Sequence, residues 1–449
     1  MRVHFTNLGC KLNQAELERL ARRFHAAGHR VVGTLEEADL HVVNTCTVTH
    51  MAARTSRKTA RRGARVSPGL KTVLTGCYVA DSPEEAASLA GVDLVVPNAD
   101  KESLLERVHA AFPEAVPAPR PMQGDPALPT DVPYVPLAFG NTRALVKVED
   151  GCNVGCAFCI IPSTRGRQVS RPLADVVAEV ASMAEAGVLE VVVTGVQISH
   201  YRDGKARLYD LTRALLEETG VPRLRLTSIA PWSFDERLFS LWRGEGLADT
   251  AGEVTSRRLC RHVHMSLQSG SDATLARMKR PYTAAGYAEL VERIRAEVPG
   301  VAVTTDVIVG FPGETDEEFA ASLDFVRRQR FAMIHAFPYS VREGTAAAEM
   351  PDQVPHEVKR ERMAALLEAA AESEKAFRTA QVGRDAEVLW EEHRDGHWHG
   401  TTDNYVRVSS DAETPLLNSL TPAKLLRASD SGLQAAPVLT TVINNLSPI

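Results

Sequence analysis

The sequence has no apolar run near the roughly 18 residues that a membrane span requires. Its first residues, MRVHFTNLGC, carry no apolar core of the kind a signal peptide shows. These two absences predict a cytoplasmic protein with no membrane partner. Surplus positive charge is also missing: the net charge is −6, so any nucleic-acid-binding surface must be local. Internal repeats and low-complexity segments are absent, apart from one proline-rich stretch. What is present is a globular composition, 44% hydrophobic and 24% charged. The 449 residues suit two or three domains of roughly 100–200 residues each. In a reducing compartment the seven cysteines read as metal ligands or reactive groups before they read as disulfides.

A fourth ligand is the next thing lacking. Cys152, Cys156 and Cys159 follow C-x3-C-x2-C in EDGCNVGCAFCIIP, and the residues after them, STRGRQ, supply neither cysteine nor histidine. Structural zinc takes four closed ligands. Three thiolates on one short loop suit an iron–sulfur cluster in which one iron keeps an open position.

Three more cysteines, Cys10, Cys46 and Cys77, each end an apolar run: VHFTNLGC, LHVVNTC and KTVLTGC. A fourth run, VDLVVPN, follows without one. Between the first two runs, Gln14–His29 places Leu17, Leu20, Ala21 and Phe24 at helical spacing. Strand alternating with helix predicts a parallel sheet, and sites in such sheets form beyond the carboxyl ends of the strands. Singly, each cysteine reads as a small buried hydrophobe. A shared position at three strand ends makes a ligand set the better reading.

Residues 113–136 hold eight prolines and read as an extended linker. Beyond it lie six candidate strands: Arg143–Glu149, Leu189–Thr194, Arg223–Ser228, His262–Gln268, Ala302–Val309 and Met333–Phe337. Helical patterns separate them at Leu173–Ala186, Tyr209–Thr219, Tyr287–Glu297 and Thr315–Arg328. This alternation predicts a barrel or partial barrel of parallel strands, with its chemistry at the C-terminal rim. The central cysteine triplet follows the first of these strands, and TGVQISHY, SLQSGSD and DVIVGFPGET follow later ones. His356–Gln381 reads as a long helix. Asp385–Glu391, His397–Gly400 and Asn404–Ser409 read as strands of a small β-barrel.

CNVGCAFC, placed after the first strand of a six-unit βα array and with Phe158 before its last cysteine, resembles the defining loop of radical S-adenosylmethionine (SAM) enzymes. LGCKLNQAE, NTCTVT, TGCY, VKVEDGCNVGCAFCIIPSTRGRQVSRP, HMSLQSGSD, DVIVGFPGET and FPYSVREGTAA together resemble the methylthiotransferases over essentially the whole chain. The resemblance implies an α/β architecture in three parts. Residues 1–112 form a Rossmann-like methylthiotransferase domain. After the 113–136 linker, 137–380 form a radical SAM core with a (β/α)6 partial barrel, and 381–449 form a TRAM barrel that grips RNA. Two [4Fe–4S] clusters are implied, one on Cys152, Cys156 and Cys159 and a second on Cys10, Cys46 and Cys77. SAM is the implied cofactor, with Phe158, Thr194, Gly195, Ser266, Gln268 and Arg171 as candidates around it. In the family the first cluster reduces SAM to a 5′-deoxyadenosyl radical, and the second carries the sulfur that is transferred. A radical is what insertion of sulfur at an unactivated C–H bond needs, and a cofactor supplies it. An electron donor such as flavodoxin or ferredoxin is an implied partner; the sulfur source is unknown.

Three branches share this architecture. LGCKLNQAE and TTDNYVRV (Thr401–Val408) look most like the threonylcarbamoyladenosine branch, which acts next to the anticodon in the tRNA anticodon stem-loop. The alternatives are the isopentenyladenosine branch and the branch that modifies a ribosomal-protein aspartate. A non-catalytic iron–sulfur RNA-binding protein is the alternative from another class, and the open triplet stands against it. Residues 381–449 carry nine acidic and five basic side chains, a poor electrostatic match to RNA. A better basic surface is ARTSRKTARRGAR, where Arg54, Arg57, Lys58, Arg61, Arg62 and Arg65 form one stripe if helical, with no acid between His50 and Leu70. Its plainer reading is a solvated face. Arg165, Arg167 and Arg171 follow the cluster loop and read either as a surface loop or as partners of the SAM carboxylate or a substrate phosphate. Gly310 and Gly313 read as turn residues, His262 and His264 as hydrogen-bonded rim residues on one strand face, and Cys260 as buried filler.

Overall fold

A computed structural model describes residues 1–67, 69–115, 142–245, 247, 258–429 and 432–438. Most of the linker expected at 113–136 lies outside the described residues. Two compact units emerge. The first comprises Met1–Val154, Ile160–Ala186 and Thr194–Val196; the second comprises Gly155–Cys159, Gly187–Val193 and Gln197–Ile449.

The first unit is built on a parallel sheet. Its strands are β1 (Arg2–Asn7), β2 (Arg30–Val31), β3 (Leu40–Thr45), β4 (Lys71–Gly76) and β5 (Leu94–Val95), in the order β2-β1-β3-β4-β5. Every residue of central β3, LHVVNT, is buried, as expected where both faces of a parallel sheet are covered. The helix Lys11–Ala26 buries the expected Leu17, Leu20, Ala21 and Phe24, which join Val3, Phe5, Leu40 and Val42 in one core. Asn7 pairs with Asn44, and Thr45 with Gly76. That register brings the ends of the three cysteine-bearing strands side by side.

The same unit takes in β6 (Arg143–Lys147), β7 (Glu149–Asp150), β8 (Val169–Ser170) and the helices Ile161–Arg165 and Leu173–Glu185. Compactness thus groups these elements with the N-terminal sheet. Buried ion pairs are the reason. Lys147 and Arg165 reach Glu16 of the N-terminal helix at 3.1 and 2.9 Å, and Glu179 takes Arg22 at 2.8 Å and Arg171 at 2.6 Å.

The second unit carries the later strands of the expected series: β9 (Glu190–Thr194, its last residue in the first unit), β10 (Arg223–Leu226), β11 (His262–His264), β12 (Ala302–Val309) and β13 (Met333–Pro338). β9 and β10 pair in parallel, as do β11, β12 and β13. Parallel bridges Leu224–Leu259 and Ile229–Met265 link the two groups. The strands alternate with helices Leu208–Glu218, Ala284–Glu297 and Asp316–Gln329, the last opened by a Thr315–Glu318 capping box.

After the helix His356–Thr379, β14 (Asp385–Arg394), β15 (His397–Thr402), β16 (Arg407–Ser410), β17 (Ser419–Ala428) and β18 (Leu433–Pro437) close a five-stranded barrel. Val388, Trp390, Val408, Leu425 and Leu433 fill it. The TTDNYVRV stretch is where this barrel is anchored. Arg223 donates to the Thr401 carbonyl at 3.1 Å and Arg225 to the Asp403 carbonyl at 2.8 Å. Asp403 pairs with Arg261 at 2.6 Å, Asn404 donates to the Gly300 carbonyl at 3.0 Å, and Tyr405 stacks on His262 with centroids 4.6 Å apart. Among the described residues no helix is long and apolar enough to cross a membrane.

Candidate metal and cofactor sites

Cys10 begins the N-terminal helix, Cys46 follows β3, and Cys77 opens the short helix Cys77–Asp81 after β4. Two glycines bring them close. Gly9 has φ +102°, and a Cβ there would lie 2.8 Å from the Cys46 sulfur. Gly76 has φ +100°, and its Cβ would strike the Thr45 carbonyl. Only glycine fits such positions. Burial, helped by the Cys77 and Cys10 sulfurs, pushes the Cys46 thiol up to about 11. Burial likewise raises Cys77. Left to themselves these thiols hold their protons, so they become thiolates by giving them up to a metal. A donor set of sulfur alone fits an iron–sulfur cluster rather than a hard cation.

Beside this triad lies a cluster of buried cations, of which sequence reading picked out Arg165 alone. Arg165, 1% exposed, donates to Asn13 Oδ1 and, at 2.9 Å each, to Glu16 and Asp150. Lys101 pairs with Glu16 at 2.5 Å. Burial would raise the Glu16 carboxyl, but Lys101, Lys147 and Arg165 more than offset it and hold it well below the usual carboxylate range.

In the central triplet, Cys152 belongs to the first unit and Cys156 and Cys159 to the second. Gly151 (φ +72°) precedes Cys152, and a Cβ there would strike the Arg167 carbonyl. The Val154 amide donates to Cys152 Sγ at 3.4 Å. In the second unit, Ala157 is tied to Met278 and Ala347 by backbone bonds of 3.0 and 2.8 Å, and Arg280 donates to Cys156 Sγ at 3.2 Å. Arg280 also donates to the Ser266 carbonyl and lies 4.5 Å over the Trp232 ring.

The candidate SAM residues divide. Phe158 packs edge-on to Phe311, centroids 6.3 Å apart. Ser266 donates to Asp306 at 2.5 Å. Gln268, at φ +68°, leaves its buried Oε1 without a hydrogen-bond partner among the described residues, a mark of a group waiting for a ligand. The Thr194 carbonyl accepts from the Val148 amide, and a Cβ on Gly195 would lie 2.5 Å from the Glu149 carboxylate. Arg171 is engaged otherwise: it binds Glu179 and the Lys147 carbonyl. Like Arg165 it is a buried ion-pair residue rather than a surface-loop cation. Gly310 and Gly313 sit at φ +71° and +72°. His262 and His264 both bond Thr304 Oγ1, at 3.1 and 2.9 Å, and Cys260 is fully buried. His264, Asp306 and His335 cluster on one face of β11–β13 with their polar atoms within 4.8 Å. Burial would raise Asp306, yet His264, Ser266 and His335 hold it below its ordinary value.

The basic stripe is shorter than expected. Its helix runs from His50 to Ala60 and restarts at Gly63, where close packing on Thr72 forbids a side chain. Acids from elsewhere in the chain approach two of its members: Arg57 lies 3.7 Å from Glu85 and Arg62 3.9 Å from Glu36. Arg54, Lys58, Arg61 and Arg65 are exposed.

Two family models match this chain: the radical SAM superfamily over residues 146–326, and an uncharacterized family, UPF0004, over residues 2–97. The chain is 34% identical to a threonylcarbamoyladenosine tRNA methylthiotransferase of Bacillus subtilis (strain 168), covering 95% of this chain and 94% of that one. It is 35% identical to the protein of the same name from Aquifex aeolicus (strain VF5), covering 91% and 96%. It is 33% identical to a tRNA-2-methylthio-N(6)-dimethylallyladenosine synthase of Sphingopyxis alaskensis, covering 97% of each. Its fold resembles that of a radical SAM methyltransferase, TsrM, from Kitasatospora setae, with a TM-score of 0.57, 19% identity and coverage of 78% and 77%. Fold and sequence thus define a radical SAM protein. Within that class, the chain belongs to the tRNA methylthiotransferase family.

Proposed function

We propose that the protein converts N6-threonylcarbamoyladenosine in tRNA to its 2-methylthio derivative. The observation that carries this reading is end-to-end similarity to relatives named for that reaction. The polar face formed by His264, Ser266, Asp306 and His335 supports it, because a substituent bearing a hydroxyl and amide-type N–H groups needs hydrogen-bonding partners once buried. A [4Fe–4S] cluster on Cys152, Cys156 and Cys159 with bound SAM would supply the 5′-deoxyadenosyl radical. In this reading Arg280 and the Val154 amide stabilise thiolate charge, while Gln268, Ser266 and Phe158 contact SAM. A second cluster belongs on Cys10, Cys46 and Cys77. The three domains are taken as 1–112, 137–380 and 381–449. The setting is the cytoplasm, with the anticodon stem-loop as partner and flavodoxin or ferredoxin as electron donor.

Nucleoside mass spectrometry of tRNA from a deletion strain tests the substrate. Unconverted N6-threonylcarbamoyladenosine is expected; loss of the isopentenyl-derived product instead would favour the second reading, which the Sphingopyxis relative supports. Two clusters predict about eight irons per chain. Changing either cysteine triplet to alanine is expected to halve that number, and only loss of the central triplet should abolish SAM cleavage.

A further inference from the structure

We propose that Arg165, backed by Lys101, raises the reduction potential of the cluster carried by Cys10, Cys46 and Cys77; this rests on the second cluster proposed above. The guanidinium and the Cys10 sulfur meet on one atom. Cys10 Sγ lies 3.8 Å from Asn13 Oδ1, and Arg165 Nη2 donates to that same oxygen. Asn13 cannot turn its amide round, because its Nδ2 donates to the Leu8 and Thr45 carbonyls at 2.8 and 3.1 Å. The helix that ends in Arg165 packs on the helix that Cys77 opens. The Arg165 charge also bears on Cys46 and Cys77, and that of Lys101 on Cys77.

The charges around the triad match in number but not in strength. Arg165, Lys101 and Lys147 face Glu16, Asp150 and Glu102, and Glu102 lies 3.9 Å from Lys147 and is 55% exposed. Arg165 and Lys101 are 1% and 5% exposed, and Asp150 is 25% exposed, so solvent weakens a carboxylate more than either of these cations. Arg165 keeps its charge at any working pH. Adding an electron to a thiolate-bound cluster adds negative charge in a poorly screened site. A fixed cation beside it lowers the cost of that step. Glu16 then has a definite part: it holds the cations in place and tempers them.

The test uses the full chain carrying Cys152→Ala, Cys156→Ala and Cys159→Ala, so that only the N-terminal cluster forms. Anaerobic redox titration followed by electron paramagnetic resonance reads its potential. Arg165→Gln should lower the reduced-to-oxidised ratio at fixed potential about tenfold, a shift of about 59 mV for one electron. Glu16→Gln should shift it the opposite way, which packing damage would not do. Arg165→Lys should restore most of the parental value. Iron-loaded Arg165→Gln with an unmoved potential would overturn the proposal. If Arg165→Gln loses its iron, a loaded Arg165→Lys of parental potential sustains the proposal, and loss of iron from both makes Arg165 a packing group and overturns it. If the parent triple variant binds no iron, the second cluster itself falls, an outcome distinct from all of these.

Discussion

Arg280 sits where no motif marks it, in MKRPYT, yet it touches Cys156, the Ser266 carbonyl and the Trp232 ring at once. Its planar guanidinium can donate along two directions while stacking; a lysine ammonium cannot. Arg280→Lys is therefore expected to keep full iron content but slow reductive SAM cleavage about tenfold, on the scale that loss of an outer partner costs a metal site. Release of 5′-deoxyadenosine under reductant measures it, and an unchanged rate would remove Arg280 from the site. Glu179 shows a different use of charge. Burial alone would raise it, but Arg171 and Arg22 hold it at about 2, against 4.5 unperturbed. The folded state thus prefers the carboxylate, so this contribution is complete above about pH 4.5 and is lost as pH falls towards 2. It amounts to up to about 3 kcal/mol. The urea midpoint of the parent should fall through that window more steeply than that of Glu179→Gln, which is weaker at neutral pH because two guanidiniums lose their carboxylate, so the gap between them should close as Glu179 takes up its proton. The six cysteines proposed as ligands could be read from spacing and from strand ends. Arg280, and the pairing of Arg165 with Glu16, could not, because the partners lie 124 and 149 residues away and no local pattern records that. One signal was present but unread: Cys10, Cys77 and Cys152 each follow a glycine, and each glycine has positive φ.

At the scale of elements, periodicity located the longer helices to within a few residues, because each has one apolar face to bury. It failed where tertiary packing decides. The basic helix stops at Ala60 because the chain must approach Thr72 at Gly63. β17, SLTPAKLLRA, escaped notice because Pro422 breaks a strand reading, although the barrel accommodates it opposite Glu387. The true stripe is Arg54, Lys58 and Arg61, spaced by four and three, exposed, and continuing the helix into its cap. If it grips the tRNA backbone it acts through counterion release. Replacing all three with glutamine should weaken tRNA binding and reduce the slope of log affinity against log salt by about two to three. Iron content should not change. An unaltered slope would make the stripe a solvated face. Gly76 offers a second check. Alanine there meets the Thr45 carbonyl in a left-handed backbone, a strain of roughly 1–3 kcal/mol. Gly76→Ala should lose N-terminal iron while keeping that of the central triplet.

At the scale of the whole molecule, order and class of the domains were readable because each part has its own periodicity: alternating strand and helix, then short strands with turns. The join between the last two parts was not. TTDNYVRV looked like a mark of one family branch, and its physical work proves to be docking. Arg223 and Arg225 are fully buried with one carboxylate, Glu190, between them. Other donors go to the carbonyls of Thr401, Thr402 and Asp403, Arg223 Nε has no hydrogen-bond partner among the described residues, and Tyr405 lies 5.0 Å from the Arg225 guanidinium. Such cations are costly unless fully paired, so this barrel stabilises the strands it covers. An independent RNA clamp on a tether would behave otherwise: mutating its anchor would alter tRNA affinity and leave the melting temperature alone. The double variant Asp403→Ala, Tyr405→Ala removes the Arg261 partner and the ring over Arg225. We expect it to lose about 3 kcal/mol or more, which lowers the melting temperature by several degrees, while the salt slope of tRNA binding, which the proposed stripe of Arg54, Lys58 and Arg61 would set, stays at the parental value. A parental melting curve with weakened, flatter tRNA binding would return the RNA grip to the barrel despite its acidic balance.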